Sequence, residues 1–295
     1  MRVAFVASLH APVTDITSDG DHILVADLAR ALVEREHEVM VFGAQGSYLR
    51  DVPTTPLSVG RGYEQLLWHV GRWQPDVISQ HAADQHPLAS DFAPVVDART
   101  AFKLRFVPLG VPEMPVRSGA PEPIGLISGK IAPRRGTADA IRAAKAAGLR
   151  PMLVGDVADR AYFAREVVPL LAGVNACGVL PRERIWALMA RSAVTLLPLH
   201  SGATFSLAAA EAQAAGCPVV GYRTPLMSEL VPADAGALVD EWDTDGLPDA
   251  VAAARALDRA AIRASARERF AHAAMIDAHE DLLLTTARVP SRRAA

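Results

Sequence analysis

Short runs of β-branched and apolar residues recur along this chain, separated by longer stretches of helical periodicity, and that alternation limits the fold more than any other feature. Parallel strands need crossovers long enough to hold a helix, so a strand–helix–strand rhythm calls for an α/β architecture with parallel sheets. In the first half the pattern predicts a strand over 3–7, a helix over 23–34 with apolar Ile23, Ala26, Leu28, Ala31 and Leu32, and strands over 39–42, 76–79 and 94–96. A second series follows the stretch VPLGVPEMPVRSGAPEP, which reads as a linker because its prolines remove donors and restrict their predecessors. Beyond it, strands are predicted over 124–127, 152–154, 174–176, 194–197, 218–221 and 237–239, and the Ala-rich segment 244–284 reads as two closing helices. Strands and helices alternating in this way make a doubly wound sheet, which binds ligands at the carboxyl ends of its strands.

Composition fits two domains. A chain of 295 residues, 51% of them hydrophobic, can bury two cores. Its 30 Lys and Arg balance 33 Asp and Glu, and no long basic block appears, the tail carrying only the short pair Arg292–Arg293, so no nucleic-acid partner is expected. Any anionic ligand must be held locally. The N-terminal MRVAFVASLHAP is too short for a membrane span and lacks the long apolar core of a secretion signal, so it reads as a first buried strand in a cytoplasmic protein. Cys177 and Cys217 lack the spacing of a zinc site or a disulfide framework and are read as two buried thiols. No metal site is expected. The abundance of Ala and Arg points to a GC-rich bacterial genome.

Two segments could carry chemistry. In LLPLHSGATFSLAAAEAQAAGCPVV a strand ends, a small-residue loop follows, and a helix is predicted to start near Thr204. Helix N-termini offer unpaired N–H groups and a positive dipole, so the amides of Phe205, Ser206 and Leu207 are candidate donors to a phosphate or sugar. Glu211 falls on the helix face of Thr204, Leu207 and Ala208, where it could accept hydrogen bonds from a diol such as a ribose. An isolated helical Glu is normally solvated, but this one is surrounded by apolar and small residues, and a carboxylate there needs a partner. The second segment, GKIAPRRGT, follows a strand, and its Gly129, Lys130 and Arg135 would share a sheet rim with Glu211. Two cations there could neutralise a diphosphate leaving group as its charge develops.

These segments resemble the family 4 retaining glycosyltransferases of GT-B fold, two Rossmann-like domains facing a cleft. IAPRRGTADAIRAAKAAG, LVGDVADRAYFAREVVPLL and EAQAAGCPVV are similar to the subgroup typified by an avilamycin-pathway glycosyltransferase, and DHILVADLARALVEREHEVMVFGA is similar to the family's first helix and second strand. The likeness is specific over 124–239, moderate over 1–42 and thin over 43–123. It implies a shortened acceptor domain over 1–115, a nucleotide-sugar donor domain over 123–270, and a last helix and tail, 271–295, packing back toward the first domain. It also implies Lys130 and Arg135 on the donor diphosphate, Glu211 on the ribose, and the amides near Phe205, Ser206 and Leu207 on the donor. In the loop 17–21, Gly20 is kept from the family's glycine-rich first loop, which the resemblance implies approaches the donor phosphates, and His81 matches a histidine in the family's interdomain cleft. Base recognition would use backbone near Gly155 and 179–181. Two positions depart from the pattern: the family's second Glu, eight residues before Glu211, is Ala203 here, and a further histidine aligns with Thr100.

The function this implies is a metal-independent, cofactor-free hexosyltransferase of carbohydrate biosynthesis, retaining the anomeric configuration. Its partners would be a nucleotide-sugar donor, GDP-mannose slightly preferred over a UDP-sugar, and a saccharide or glycosylated small-molecule acceptor. A homodimer is compatible with this reading. A non-catalytic nucleotide-sugar binding protein and a nucleotide-sugar epimerase stay open beside it, since one fold hosts several chemistries.

Overall fold

The computed structural model describes residues 1–58, 60–81, 107–115, 119–202 and 206–287. They fall into two units: Met1–Pro108 together with Ala273–Ala295, and Leu109–His272.

The first unit begins with β1 (Arg2–Val6), α1 (Gly20–Glu34) and β2 (Glu38–Ala44), followed by β3 (Thr54–Leu57), α2 (Gly62–Trp73) and β4 (Val77–Gln80). Its sheet is parallel, in the order β3-β2-β1-β4, with Val3 opposite both Val39 and Val77. Val3, Ala4, Phe5 and Val6 are buried, as a central parallel strand covered on both faces requires. Helix α1 presents Val25, Leu28, Ala29 and Leu32 to this core, a single stripe at helical spacing. It starts three residues before the apolar period does, because the Asp19 side chain caps it by accepting from the Asp21 N–H. Sequence reading missed β3 and α2. Strand β3 is an edge strand carrying Pro56, which only an edge tolerates, and α2 exposes Leu67 and Trp68, which blurs its apolar stripe. The strand expected over 94–96 lies outside the described residues, as does Thr100.

The second unit runs β5 (Glu122–Ser128), α3 (Thr137–Ala146), β6 (Arg150–Val154), an irregular helical segment over 160–170, β7 (Asn175–Ala176), α4 (Arg182–Arg191) and β8 (Ser192–Leu197). It continues with α5 (Leu207–Ala214), β9 (Val219–Tyr222), α6 (Pro225–Leu230), β10 (Gly236–Val239), α7 (Leu247–Arg255) and α8 (Arg259–Arg269). All six strands are parallel in the order β10-β9-β8-β5-β6-β7. Alternate residues feed opposite layers: Leu196 and Val220 pack with Ile141 and Val251, whereas Leu197 and Val219 pack with Met189 and Met227. Each of the strands expected in this unit is present. The order makes β5 and β8 neighbours, and the chain winds outward from them in opposite directions. Their carboxyl ends are therefore the switch point at which an open α/β sheet leaves a crevice.

Three expectations need correction. The segment 244–284 holds α7, α8 and most of a third helix, α9 (His272–Ala287), because Asp258 caps α8 and divides what composition alone presents as continuous. Helix α5 starts at Leu207 rather than near Thr204, because Ser206 takes the cap position and accepts from the Ala209 N–H. Cys217 is fully buried beneath the sheet, but Cys177 is exposed, since the two-residue strand preceding it is an edge. Helix α9 belongs to the first unit, where Met275, Ile276 and Leu283 pack on Val3, Val25 and Leu28. Arg35 pairs there with Asp277 and Glu280, and His37 lies 2.6 Å from the Glu280 carboxylate. Among the described residues, no helix is long and apolar enough to cross a membrane.

Candidate functional site

The switch point of the second unit is built from glycine-rich turns. The strand β5 leaves through Gly129 at φ 133°, and β6 leaves through Gly155 at φ 143°. A Cβ on Gly155 would lie 1.9 Å from the Gly129 carbonyl oxygen, so this approach of two strand ends is possible only for glycine. The Gly155 N–H in turn donates to the Gly178 carbonyl at 2.9 Å. The result is a close junction of glycine backbone at the carboxyl ends of β5 and β6.

Lys130 and Arg135 stand on the loop between β5 and α3, both half-buried. That loop is pinned to the one leaving β8. The His200 N–H donates to the Arg134 carbonyl at 3.0 Å, and the Arg134 guanidinium donates to the Gly202 carbonyl at 3.1 Å. Gly136, at φ 59°, lets the turn pass so close that a Cβ there would lie 2.2 Å from the Pro198 carbonyl oxygen. The 129–136 loop thus meets the loop leaving β8, which precedes Ser206, Leu207 and Glu211 in the chain. Phe205 lies outside the described residues, together with Ala203 and Thr204.

Glu211 is 5% exposed, in the second turn of α5. Its Oε1 accepts from Arg182 Nε at 2.5 Å, and the Arg182 guanidinium lies over the Trp186 ring, 4.8 Å from its centroid. The partner that a carboxylate in such surroundings requires is therefore Arg182, at the start of α4. Sequence reading did not single it out, since the first-turn arginine of PRERIWALMAR looks like any solvated helical cation.

The β8 loop has a second anchor that sequence reading missed. Glu241, beyond β10, accepts from the Ser201 N–H at 2.8 Å and from the Ser201 hydroxyl, and these bonds hold its carboxyl below the usual carboxylate range. His200 lies between Glu241, 3.2 Å away, and Asp139 at the start of α3, and stacks on Trp242 with centroids 3.9 Å apart. The Tyr222 hydroxyl donates to Asp139 at 3.0 Å, and burial followed by that carboxylate pushes its pKa up. These residues come from two loops, a strand end and the first turn of a helix, so no short motif announces them.

In the first unit, Gly20 and His81 stand at the corresponding switch point, past the carboxyl ends of β1 and β4, which are neighbours in the sheet. The His81 N–H donates to the Val6 carbonyl at 2.8 Å, its Nε2 lies 3.0 Å from the Ser79 hydroxyl, and its ring packs 5.6 Å from Phe5. Burial, with the nearby His279 imidazole, lowers its pKa to about 4, so His81 is neutral at neutral pH. It can therefore offer a hydrogen bond there without a formal charge. Beside Gly20, the side chains of His10, Asp19 and His22 come together.

Residues 126–256 match the family model described as glycosyl transferases group 1. The solved structures similar to this chain include AviGT4, a glycosyltransferase involved in avilamycin A biosynthesis, at 21% identity and TM-score 0.70 over 97% of this chain and 98% of that one. A sucrose-phosphate synthase from Thermosynechococcus elongatus is similar at 18% identity and TM-score 0.75, again over 97% and 98%. HepE from Anabaena, solved in complex with UDP-glucose, is similar at 15% identity and TM-score 0.70, over 97% of this chain and all of that one. No curated protein sequence matches the chain. The chain therefore shares the GT-B fold of these glycosyltransferase structures, and residues 126–256 of its second unit match the group 1 glycosyl transferases.

Proposed function

We propose that this chain transfers a hexose from a nucleotide-diphosphate sugar to a saccharide or a small glycosylated metabolite, with retention at the anomeric carbon. The observation that carries this reading is the pinning of the Lys130 and Arg135 loop to the loop that opens the Glu211 helix, at a switch point within the segment shared with the group 1 glycosyl transferases. In this reading Lys130 and Arg135 neutralise the diphosphate as its bond to the sugar breaks, without help from a divalent metal. Glu211, oriented by Arg182, accepts from the ribose hydroxyls, and the backbone near Gly155 and 179–181 faces the base. The acceptor hydroxyl attacks the face from which the nucleotide departs.

The donor is a GDP- or UDP-hexose. The sequence reading leans to GDP-mannose, whereas the similar HepE was solved with UDP-glucose. Calorimetric titration with GDP, UDP and ADP, with and without magnesium, tests the site and chooses the base. One nucleotide should bind selectively, without magnesium, and Glu211→Gln should weaken it together with its nucleoside. Lys130→Ala and Arg135→Ala should instead weaken the diphosphate more than the nucleoside. Failure of every nucleotide to bind would sink the reading. Binding without turnover of any acceptor would favour a nucleotide-sugar binding protein, to which Ala203, in place of the family's second Glu, lends support.

A further inference from the structure

We propose that the first unit holds a divalent transition-metal ion, of the zinc class, between His10, Asp19 and His22. One potential ligand atom from each of the three side chains lies within 4.8 Å of the others. The local structure accounts for their meeting. Asp19 is the N-cap of α1 and His22 stands three residues on, and residues so placed share one side of a helix's first turn. His10, on the loop leaving β1, lays its ring on that of His22, with centroids 5.2 Å apart and planes 20° from parallel.

Two of the ligands, Asp19 and His10, are also held by hydrogen bonds that set their direction. Asp19 spends Oδ1 on the cap, accepting from the Asp21 N–H at 3.1 Å, and its Oδ2 hydrogen-bonds His10 Nε2 at 2.8 Å, a bond that an ion bound between them would replace. The other ring nitrogen of His10, Nδ1, hydrogen-bonds the Ser8 hydroxyl. A ring nitrogen held by an outer oxygen while its opposite number faces a shared centre is the arrangement that fixes a metal-binding histidine's tautomer and direction. His22 is 1% exposed and Asp19 6%, so two of the three ligands are rigidly seated. The His10 side chain is 53% exposed, which gives it room to move from its 2.8 Å contact with Asp19 to the ligand separation of about 3.3 Å that a four-coordinate ion with bonds near 2.0 to 2.1 Å imposes.

The chemistry of the donors selects the ion. Two imidazoles and one carboxylate suit zinc, cobalt or nickel, whereas magnesium and calcium prefer oxygen alone. A bound ion would neutralise Asp19 and tie the loop after β1 to the first turn of α1, on either side of Gly20. The site is independent of the glycosyl-transfer reading, and its test measures the metal directly.

Untagged full-length protein, stripped with a chelator and dialysed, is titrated with zinc by calorimetry and with cobalt by visible absorption. One ion per chain is expected, with cobalt giving the d–d bands of an ordered four- or five-coordinate centre. Exposed His10→Ala should lower affinity more than about tenfold, and so should Asp19→Asn, which keeps a good helix cap while removing the anionic ligand. Ser8→Ala, which touches only the outer hydrogen bond, should cost about tenfold. Circular dichroism checks that these variants fold. Absence of stoichiometric binding, or binding undiminished in both His10→Ala and Asp19→Asn, would overturn the proposal.

Discussion

At the scale of single residues, the pair Glu211 and Arg182 is where stability and the proposed binding role meet. The side chains are 7% and 14% exposed, and a charge so placed depends on its partner. Arg182→Met removes the guanidinium from both Glu211 and the Trp186 face and should destabilise the chain by on the order of 3 kcal/mol. Combined with Glu211→Gln, the loss should be smaller than the sum of the two, with a coupling of about 1 to 3 kcal/mol. Denaturant midpoints of the four proteins measure this, and additivity would show that the pair is not energetically coupled. The need for a partner was legible in the sequence, because Glu211 sits among Ala and Leu. Which cation supplies it was not, since Arg182, Arg184 and Arg191 share one helix and only packing turns one of them inward.

At the scale of elements, the close approach of the β5 and β8 loops rests on Gly136. An alanine there keeps an unfavourable φ of 59° and drives its Cβ into the Pro198 carbonyl. Gly148, at φ 68°, has nothing within 4 Å of where its Cβ would stand. Gly148→Ala should therefore cost only the left-handed penalty of about 1 to 2 kcal/mol. Gly136→Ala should cost more, and it should also weaken nucleotide binding by loosening the Lys130 and Arg135 loop. Thermal unfolding and nucleotide titration of the two variants separate the effects; equal losses of stability with unchanged binding would rule out the pinning role. The strands of the second unit were readable because each is a short apolar run bounded by turn residues. The boundaries of α1 and α5 were not, because capping by Asp19 and Ser206 depends on side-chain geometry rather than on apolar period.

At the scale of the whole molecule, the chain completes the second unit at His272 and then returns to the first, which α9 helps to close. Met275, Ile276 and Leu283 are each buried in the first unit's core. A chain ending at residue 271 should lose on the order of 5 kcal/mol or more from that unit, at about 1.5 to 3 kcal/mol for each buried side chain. Calorimetric unfolding should then show a transition of the first unit moved to lower temperature while that of the second stays in place. A shift of both together, or of neither, would contradict the division of stability drawn here.

The sequence by itself determined the α/β class, the strands of the second sheet and the segments that hold Lys130, Arg135 and Glu211. These are properties of local period and turn chemistry, which a few neighbouring residues encode. Tertiary structure alone decided that β5 and β8 are neighbours, that Arg182 serves Glu211, that Glu241 and Trp242 hold the His200 loop, and that His10 meets Asp19 and His22. Each of these joins residues that packing and strand order bring together, and no periodicity along the chain records such a meeting.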